Sequence, residues 1–262
     1  TLRLHPRKEE SVLRFHPWIF SGAIASFSAP VEDGDLVSVV DSKGRPLGTG
    51  HFGGGSIAVR LLSFDAEEVI DRAFYKRRVE AALRLRLSCD LVRPVGSSDS
   101  PNTTYRLVHG EGDSLPGLII DIYDRTAVVQ AHSLGMHQAR QTIAEVLWEV
   151  FAEAGDPVRP LEGVYYKSET TLPTRDMREL ASDGFLIGHT EAAPIYENGV
   201  RFTPDWLKGQ KTGFFIDQRD NRALVAHYAK GRTVLNAFCY TGGFSIYALH
   251  AGAKRVDSLD SS

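Results

Sequence analysis

Cysteine is scarce: the 262 residues carry two, Cys89 and Cys239, too few for a disulfide framework and without the paired spacing of a metal site. Long apolar runs are missing as well. Nothing approaches the roughly 18 uninterrupted apolar residues of a membrane helix, and the opening "TLRLHPRKEE" has no apolar stretch of a secretory signal. Nor is there a basic excess. The 30 Lys and Arg stand against 33 Asp and Glu, a net charge of −3, which is no footprint of a dedicated nucleic-acid binder. These absences predict a reduced, cytoplasmic protein with no bound metal and no membrane association. The chain opens on Thr rather than Met, which reads as a trimmed start.

What is present divides into three segments, predicted over 1–65, 66–184 and 185–262. The first is rich in glycine and short alternating stretches, as in "GDLVSVVDSKGRPLGTGHFGGGSIAVRLLS". Strands joined by Gly-rich turns predict a small β-barrel, with Trp18, Ile19, Phe20 and Ile24 as core anchors ahead of it. The second opens on a helix from about Ala66 to Leu87, with Val69, Ile70, Phe74, Ala81 and Leu85 inward. Its "RAFYKRRVEAALRLRLS" is the one basic concentration, and a solvated face accounts for it. "RPVGSSDSPNTTY" reads as a mobile loop. Strands over about Arg106–Val108, Leu118–Tyr123 and Ala127–Ala131 follow. A helix from Met136 to Ala154 (Ile143, Val146, Leu147, Val150 and Phe151 inward) and a strand at "GVYYKSE" complete a small α+β module.

The third segment predicts a hairpin within "FLIGHTEAAPIYENGVRFTPDWL", turning at Asn198-Gly199, and a helix from about Gln218 to Ala229. Then comes "TVLNAFCYTGGFSIYALHAGAKRVDSLDSS": strand, glycine turn, helix, strand, acid. Such a βαβ unit places a nucleotide at the carboxyl ends of its strands, and an acid ending the second strand is placed to accept both ribose hydroxyls. The turn holds only "TGG", without the third glycine that lets a pyrophosphate rest on the helix. That favours S-adenosylmethionine over NAD. "KTGFFIDQRDNR" adds two aromatics leading into a polar helix start, with Asp217 as N-cap, as a second wall of the same cleft.

"KTGFFIDQRDNR", "VLNAFCYTGGFSIYALHAGA" and "EGDSLPGLIIDIY" together resemble the PUA-domain-containing family of S-adenosylmethionine-dependent RNA methyltransferases, whose best-known members form 5-methylcytosine in 23S ribosomal RNA. "RFHPWIFSGAI" and "GDLVSVVDSKGRPLGTG" resemble its N-terminal PUA barrel. The resemblance implies a multidomain α/β and α+β chain: a PUA-like β-barrel, a central small α+β domain and the start of a Rossmann-like methyltransferase domain. It implies a cofactor cleft built from Phe214, Asp217, Gln218, Arg219 and Asn221, then Asn236, Phe238, Tyr240, Thr241, Gly242, Gly243 and Phe244, with Asp260 on the ribose. Where many related enzymes carry an acid and G-x-G after the first strand, this chain has Asn236 and "YTGG". The expected partners are ribosomal RNA (23S) and a second copy as a homodimer.

Family chemistry uses a cysteine thiolate on carbon 6 of cytosine to make carbon 5 nucleophilic. That cysteine and a proline-flanked acid lie, in the family, beyond the second strand. No catalytic residue is therefore assigned here: Cys239 sits in the nucleotide turn, and Cys89 reads as a small core residue. A sheet of this kind has about six strands, so a fragment is expected, inactive by itself, with open apolar surface. The alternatives are an rRNA guanine N-methyltransferase and a non-catalytic RNA-binding protein, with an NAD oxidoreductase behind them. Arg3, Arg7, Lys8, Arg14, Lys43, Arg45 and Arg60 are the basic residues placed to meet RNA.

Overall fold

The computed structural model describes residues 1–97, 100–173 and 181–261. They form two compact units, one of Thr1–Val92 with Tyr105–Glu191, the other of Arg93–Thr104 with Ala192–Ser262.

The first unit begins with a strand-rich half-barrel: β1 Leu2–Leu4, β2 Trp18–Phe20, β3 Ile24–Phe27, β4 Leu36–Val40, β5 Pro46–Phe52 and β6 Ile57–Ser63, with a short helix α1 at Glu10–Leu13. The sheet order is β2-β6-β5-β4-β1-β3. Alternation decides what is inside: Val37 and Val39 point in, with Leu2, Leu4, Ile19, Val59 and Leu61. In the "DSKGRP" turn, one Asp41 oxygen accepts the backbone N–H of Lys43 and of Arg45, each at 2.8 Å. The four expected anchors separate by the same rule. Ile19 is in the core, Trp18 and Ile24 are half-buried, and Phe20 faces solvent, because neighbours on a strand point oppositely.

Helix α2 runs Arg72–Ser88, starting later than expected because Asp71 caps it, accepting the Phe74 N–H at 2.9 Å. The inward face also differs. Phe74, Tyr75, Val79, Ala82, Leu83 and Arg86 are buried, whereas Val69 lies before the helix and Ala81 and Leu85 face outward. Of the expected inward residues only Phe74 is both helical and buried; Val69 and Ile70 precede the helix. The basic side chains are neutralised within the unit rather than left as a bare stripe. Arg72 and Lys76 meet Glu149, Arg77 and Arg78 meet Glu68, Arg84 meets Glu80 and Arg86 meets Asp113. Cys89, expected in the core, is exposed at the helix end.

The central sheet has the order β11-β10-β9-β8-β7, from β7 Thr104–His109, β8 Leu118–Tyr123, β9 Thr126–Ala131, β10 Gly163–Tyr166 and β11 Gly184–Gly188. β9 and β10 are parallel, and the crossover carries α3 Leu134–Gln138 and α4 Arg140–Glu153, which bend apart at Ala139 where one helix was expected. α4 buries Ile143, Val146, Leu147, Val150 and Phe151, as its periodicity predicts. β11, whose residues 185–188 were expected in the following hairpin, pairs with β10 instead.

In the second unit, β12 Ile195–Glu197 and β13 Val200–Phe202 form the hairpin, with Asn198 at φ +49° and Gly199 at φ +80°. Helix α5 is Arg219–Ala229. β14 Thr233–Ala237, α6 Gly243–His250 and β15 Arg255–Leu259 form the βαβ unit with parallel strands. Leu235 and Leu259 on these strands are 70% and 63% exposed, so this sheet leaves apolar surface open. The stretch expected to be a mobile loop is ordered on both flanks. Arg93 pairs with Asn102, and Asn102 and Thr103 are buried; Ser98 and Asp99 lie outside the described residues. Among the described residues no helix is long and apolar enough to cross a membrane.

Candidate functional site

The site starts where β14 ends. Phe238 and Tyr240 adopt φ +61° and +49°, and Gly242 φ +78°. Only glycine enters that region cheaply, and each bulky residue held there costs about 1–2 kcal/mol. Backbone strain of this kind gathers where a ligand is gripped. The turn is fastened to the neighbouring strand: Cys239 N–H donates to the Leu259 carbonyl at 3.2 Å and Tyr240 N–H to Asp260 Oδ2 at 2.7 Å. Phe238 is left 87% exposed, an aromatic face with no protein against it.

The opposite wall is "KTGFFIDQ". Lys211 lies 4.4 Å over the Phe215 ring, and its ammonium is 3.1 Å from Asp217. Phe215 meets Tyr240 edge to face at 5.3 Å, and the Tyr240 hydroxyl accepts the Gln210 N–H at 3.0 Å. Burial pushes the Asp217 carboxyl up, but hydrogen bonds from Lys211 and Gln218 outweigh it and hold it below the usual carboxylate range. Asp217 is not the N-cap predicted for α5. It belongs to a 3₁₀ turn, Ile216–Gln218, and Gln218 takes the cap position without a side-chain bond. The Asp217 carboxylate takes Lys211 and the Gln218 side-chain amide as its partners.

Between the walls is a cavity of about 330 Å³. Of the residues predicted from sequence, Phe214, Asp217, Gln218, Phe238, Tyr240, Thr241, Gly243 and Phe244 line it. The others are close by but differently employed. Asn221 donates to the Gln218 side chain at 3.0 Å. Asn236 donates to Ser245 Oγ at 2.8 Å, which meets Ser258 Oγ at 2.7 Å, so it ties strand to helix to strand. Gly242 supplies the left-handed step into α6. Arg219 bonds the Thr104 carbonyl and lies 3.5 Å from Glu197. Asp260 flanks the turn through Tyr240.

Lys211, Phe215, Arg222 and Cys239 also line the cavity and were not among the residues assigned to the cofactor. Arg222 is the most informative of them. Its guanidinium grips buried Glu197 with two bonds of 2.7 Å, donates to the Phe215 carbonyl at 2.9 Å and lies 4.6 Å over the Phe214 ring. The Tyr247 hydroxyl donates to Glu197 at 3.0 Å, and burial together with that carboxylate pushes its pKa up. The hairpin thereby holds the aromatic wall rigid from behind. "DNR" beside "GFF" was the available signal, but nothing in the spacing ties Arg222 to Glu197.

Residues 2–64 match the PUA-like domain, and residues 173–262 match the S-adenosylmethionine-dependent methyltransferases. The cofactor read from the glycine turn is the one that second family uses. The ribosomal RNA large subunit methyltransferase I of Shewanella amazonensis is 40% identical over 264 residues, covering 100% of this chain and 63% of its own length. That of Shewanella denitrificans is 41% identical over 266 residues, with the same coverage. Among solved structures, a Streptococcus mutans protein described as a SAM-dependent methyltransferase superposes with a TM-score of 0.78 at 23% identity, over 100% of this chain and 63% of that one. Another methyltransferase structure, complexed with SAH, gives 0.80 at 23% identity over 100% and 62%. The chain thus spans 63% of the length of the curated relatives it matches. Its fold is a PUA-like half-barrel followed, through the central α+β module, by a Rossmann-like methyltransferase fold.

Proposed function

We propose that this chain is the PUA-bearing part of an S-adenosylmethionine-dependent methyltransferase that acts on ribosomal RNA, its product 5-methylcytosine in 23S ribosomal RNA. The observation that carries the reading is the cavity beside the "YTGG" turn, walled by aromatics on both sides and flanked by one fastened acid. The residues fit the group. A carboxylate offers about four acceptor positions, so Asp260 can hold a ribose hydroxyl as well as the Tyr240 N–H. Phe214, Phe238 and Phe244 suit a flat adenine, and Asp217, kept ionised, suits an ammonium. When bound, the cofactor supplies an electrophilic methyl on sulfonium. The chain's own part is to bind and orient it, with Arg222 and Glu197 keeping the wall in place. Neither Cys89 nor Cys239 is assigned as the nucleophile, since one is exposed at a helix end and the other lies within the donor cavity.

Calorimetric titration of S-adenosylhomocysteine into this chain tests the donor site. Absence of heat at millimolar ligand would remove the reading. The cytosine assignment is tested in the full-length protein with RNA carrying 5-fluorocytosine: a covalent complex supports it, and methylated guanine in the product overturns it. RNA binding by this chain is expected to weaken as salt rises, and a flat salt response would count against an RNA partner.

A further inference from the structure

A second cavity, of about 320 Å³, lies wholly within the first unit and is near the lower end of the roughly 300–1,000 Å³ of small-molecule sites. The loop Gly53-Gly54-Gly55 forms one side of it, with Phe52, Ile57 and Leu134 as apolar wall and Asp33, His51, Arg60 and Ser133 as polar groups. Three features of it are unexplained by folding alone. Arg60 is half-buried on the inner strand β6, yet its guanidinium makes no hydrogen bond or close ion pair with any described residue, Glu111 acting on it only from farther off. His51, across the ladder from Arg60, is 5% exposed, and its Nδ1 is buried without a partner; such groups in folded proteins usually have one. The imidazole fits only because residue 135 is glycine, where a Cβ would come within 2.2 Å of the ring. The loop is also held open. Asp33 accepts the Gly54 N–H at 2.6 Å, and a Cβ on Gly55 would meet nothing within 4 Å.

We propose that this cavity binds a nucleotide, with its phosphate on Arg60, its sugar against the triglycine loop and its base between Phe52 and Leu134. A bare anion would leave the apolar wall uncovered and would face the Asp33 carboxylate. A nucleotide directs base N–H groups toward that acid and keeps its negative charge for the guanidinium. Desolvation by burial holds the Arg60 pKa down while Glu111 pulls it up. An arginine partly stripped of water and without an ion pair is ready to take a phosphate with two parallel bonds. This site does not depend on the methyl-donor reading, since every residue in it belongs to the other unit.

The test is an amide NMR titration of the chain, labelled at glycine, with nucleoside 5′-monophosphates, a short single-stranded oligoribonucleotide, and inorganic phosphate. Shifts at Gly53–Gly55 with the nucleotides, at least about tenfold weaker with phosphate alone and weakened about tenfold by Arg60→Gln, support the proposal. Gly55→Val, which fills the open mouth without touching the core, should weaken binding similarly and covers the case in which Arg60→Gln does not fold. Stronger binding of the oligonucleotide than of the monophosphates assigns the site to a nucleic-acid strand; the reverse assigns it to a free nucleotide. No glycine shift with either, equal shifts with phosphate alone, or indifference to both variants would overturn it.

Discussion

Asp260 accepts the backbone N–H of Tyr240 at 2.7 Å, so the acid ending β15 and the turn leaving β14 are one rigid piece. A hydrogen bond to a charged group contributes about 1.5–3 kcal/mol, so Asp260→Ala should weaken S-adenosylhomocysteine binding roughly ten- to a hundredfold. Calorimetry measures it, and unchanged affinity would detach the acid from the cofactor. Because Asp260 is exposed, the melting temperature should shift little.

Arg222 and Glu197 are a different case, being 2% and 0% exposed. Removing one partner of a buried pair leaves a charge stranded, at a cost of about 3–5 kcal/mol. Arg219 stays 3.5 Å from Glu197, so Arg222→Met should lower stability by up to about that amount in urea unfolding, and adding Glu197→Gln should recover part of the loss. A cost under about 1 kcal/mol would show the pair to be less isolated from water than its burial indicates.

Strain in the turn gives a prediction of the opposite sign. Phe238 is 87% exposed at φ +61°, so its ring adds little packing while its backbone carries a penalty. Phe238→Gly should leave the chain as stable or up to about 1 kcal/mol more stable, and should weaken methyl-donor binding. Lower stability together with undiminished binding would mean that the ring serves the fold.

Acid should loosen the first unit through His51. Desolvation by burial, with Arg60 adding repulsion, lowers its pKa to about 4 in the folded chain, against about 6.5 when unfolded. The unfolded chain then binds the proton more readily, so stability is full above about 6.5 and is lost as pH falls toward 4. The gap corresponds to at most about 3 kcal/mol. His132 and His137 shift the same way, so the measurement is the difference between wild type and His51→Phe in urea midpoint at pH 7 and pH 4.5. Parallel behaviour of the two proteins would exclude the histidine as the cause.

Legibility in the sequence followed locality. The Asn198-Gly199 turn, the apolar face of α4 and the glycine turn after β14 were readable because each is set by a few consecutive residues. The face of α2 was misjudged because its buried stripe is centred on Tyr75, Val79, Ala82 and Arg86 with Phe74 at its edge, and Arg86 is drawn in by the distant Asp113. Asp217 looked like a cap by type, but Lys211 claims its carboxylate from outside the helix. The partnership of Arg222 with Glu197 and the positive φ of Phe238 and Tyr240 depend on how distant segments meet, which no pattern within one segment reports.

The strand Leu2–Leu4 carries a practical consequence. It lies inside the sheet, antiparallel to Ile24–Phe27 and parallel to Leu36–Val40, with Leu2 and Leu4 wholly buried. A parallel neighbour cannot be supplied by a simple hairpin, so those three residues act as a keystone slotted between two staves already made. Clipping them, by a protease or by an expression vector that starts a little late, would cut Ile24–Phe27 off from the remaining four strands and empty two core positions, a far greater injury than such a short deletion suggests.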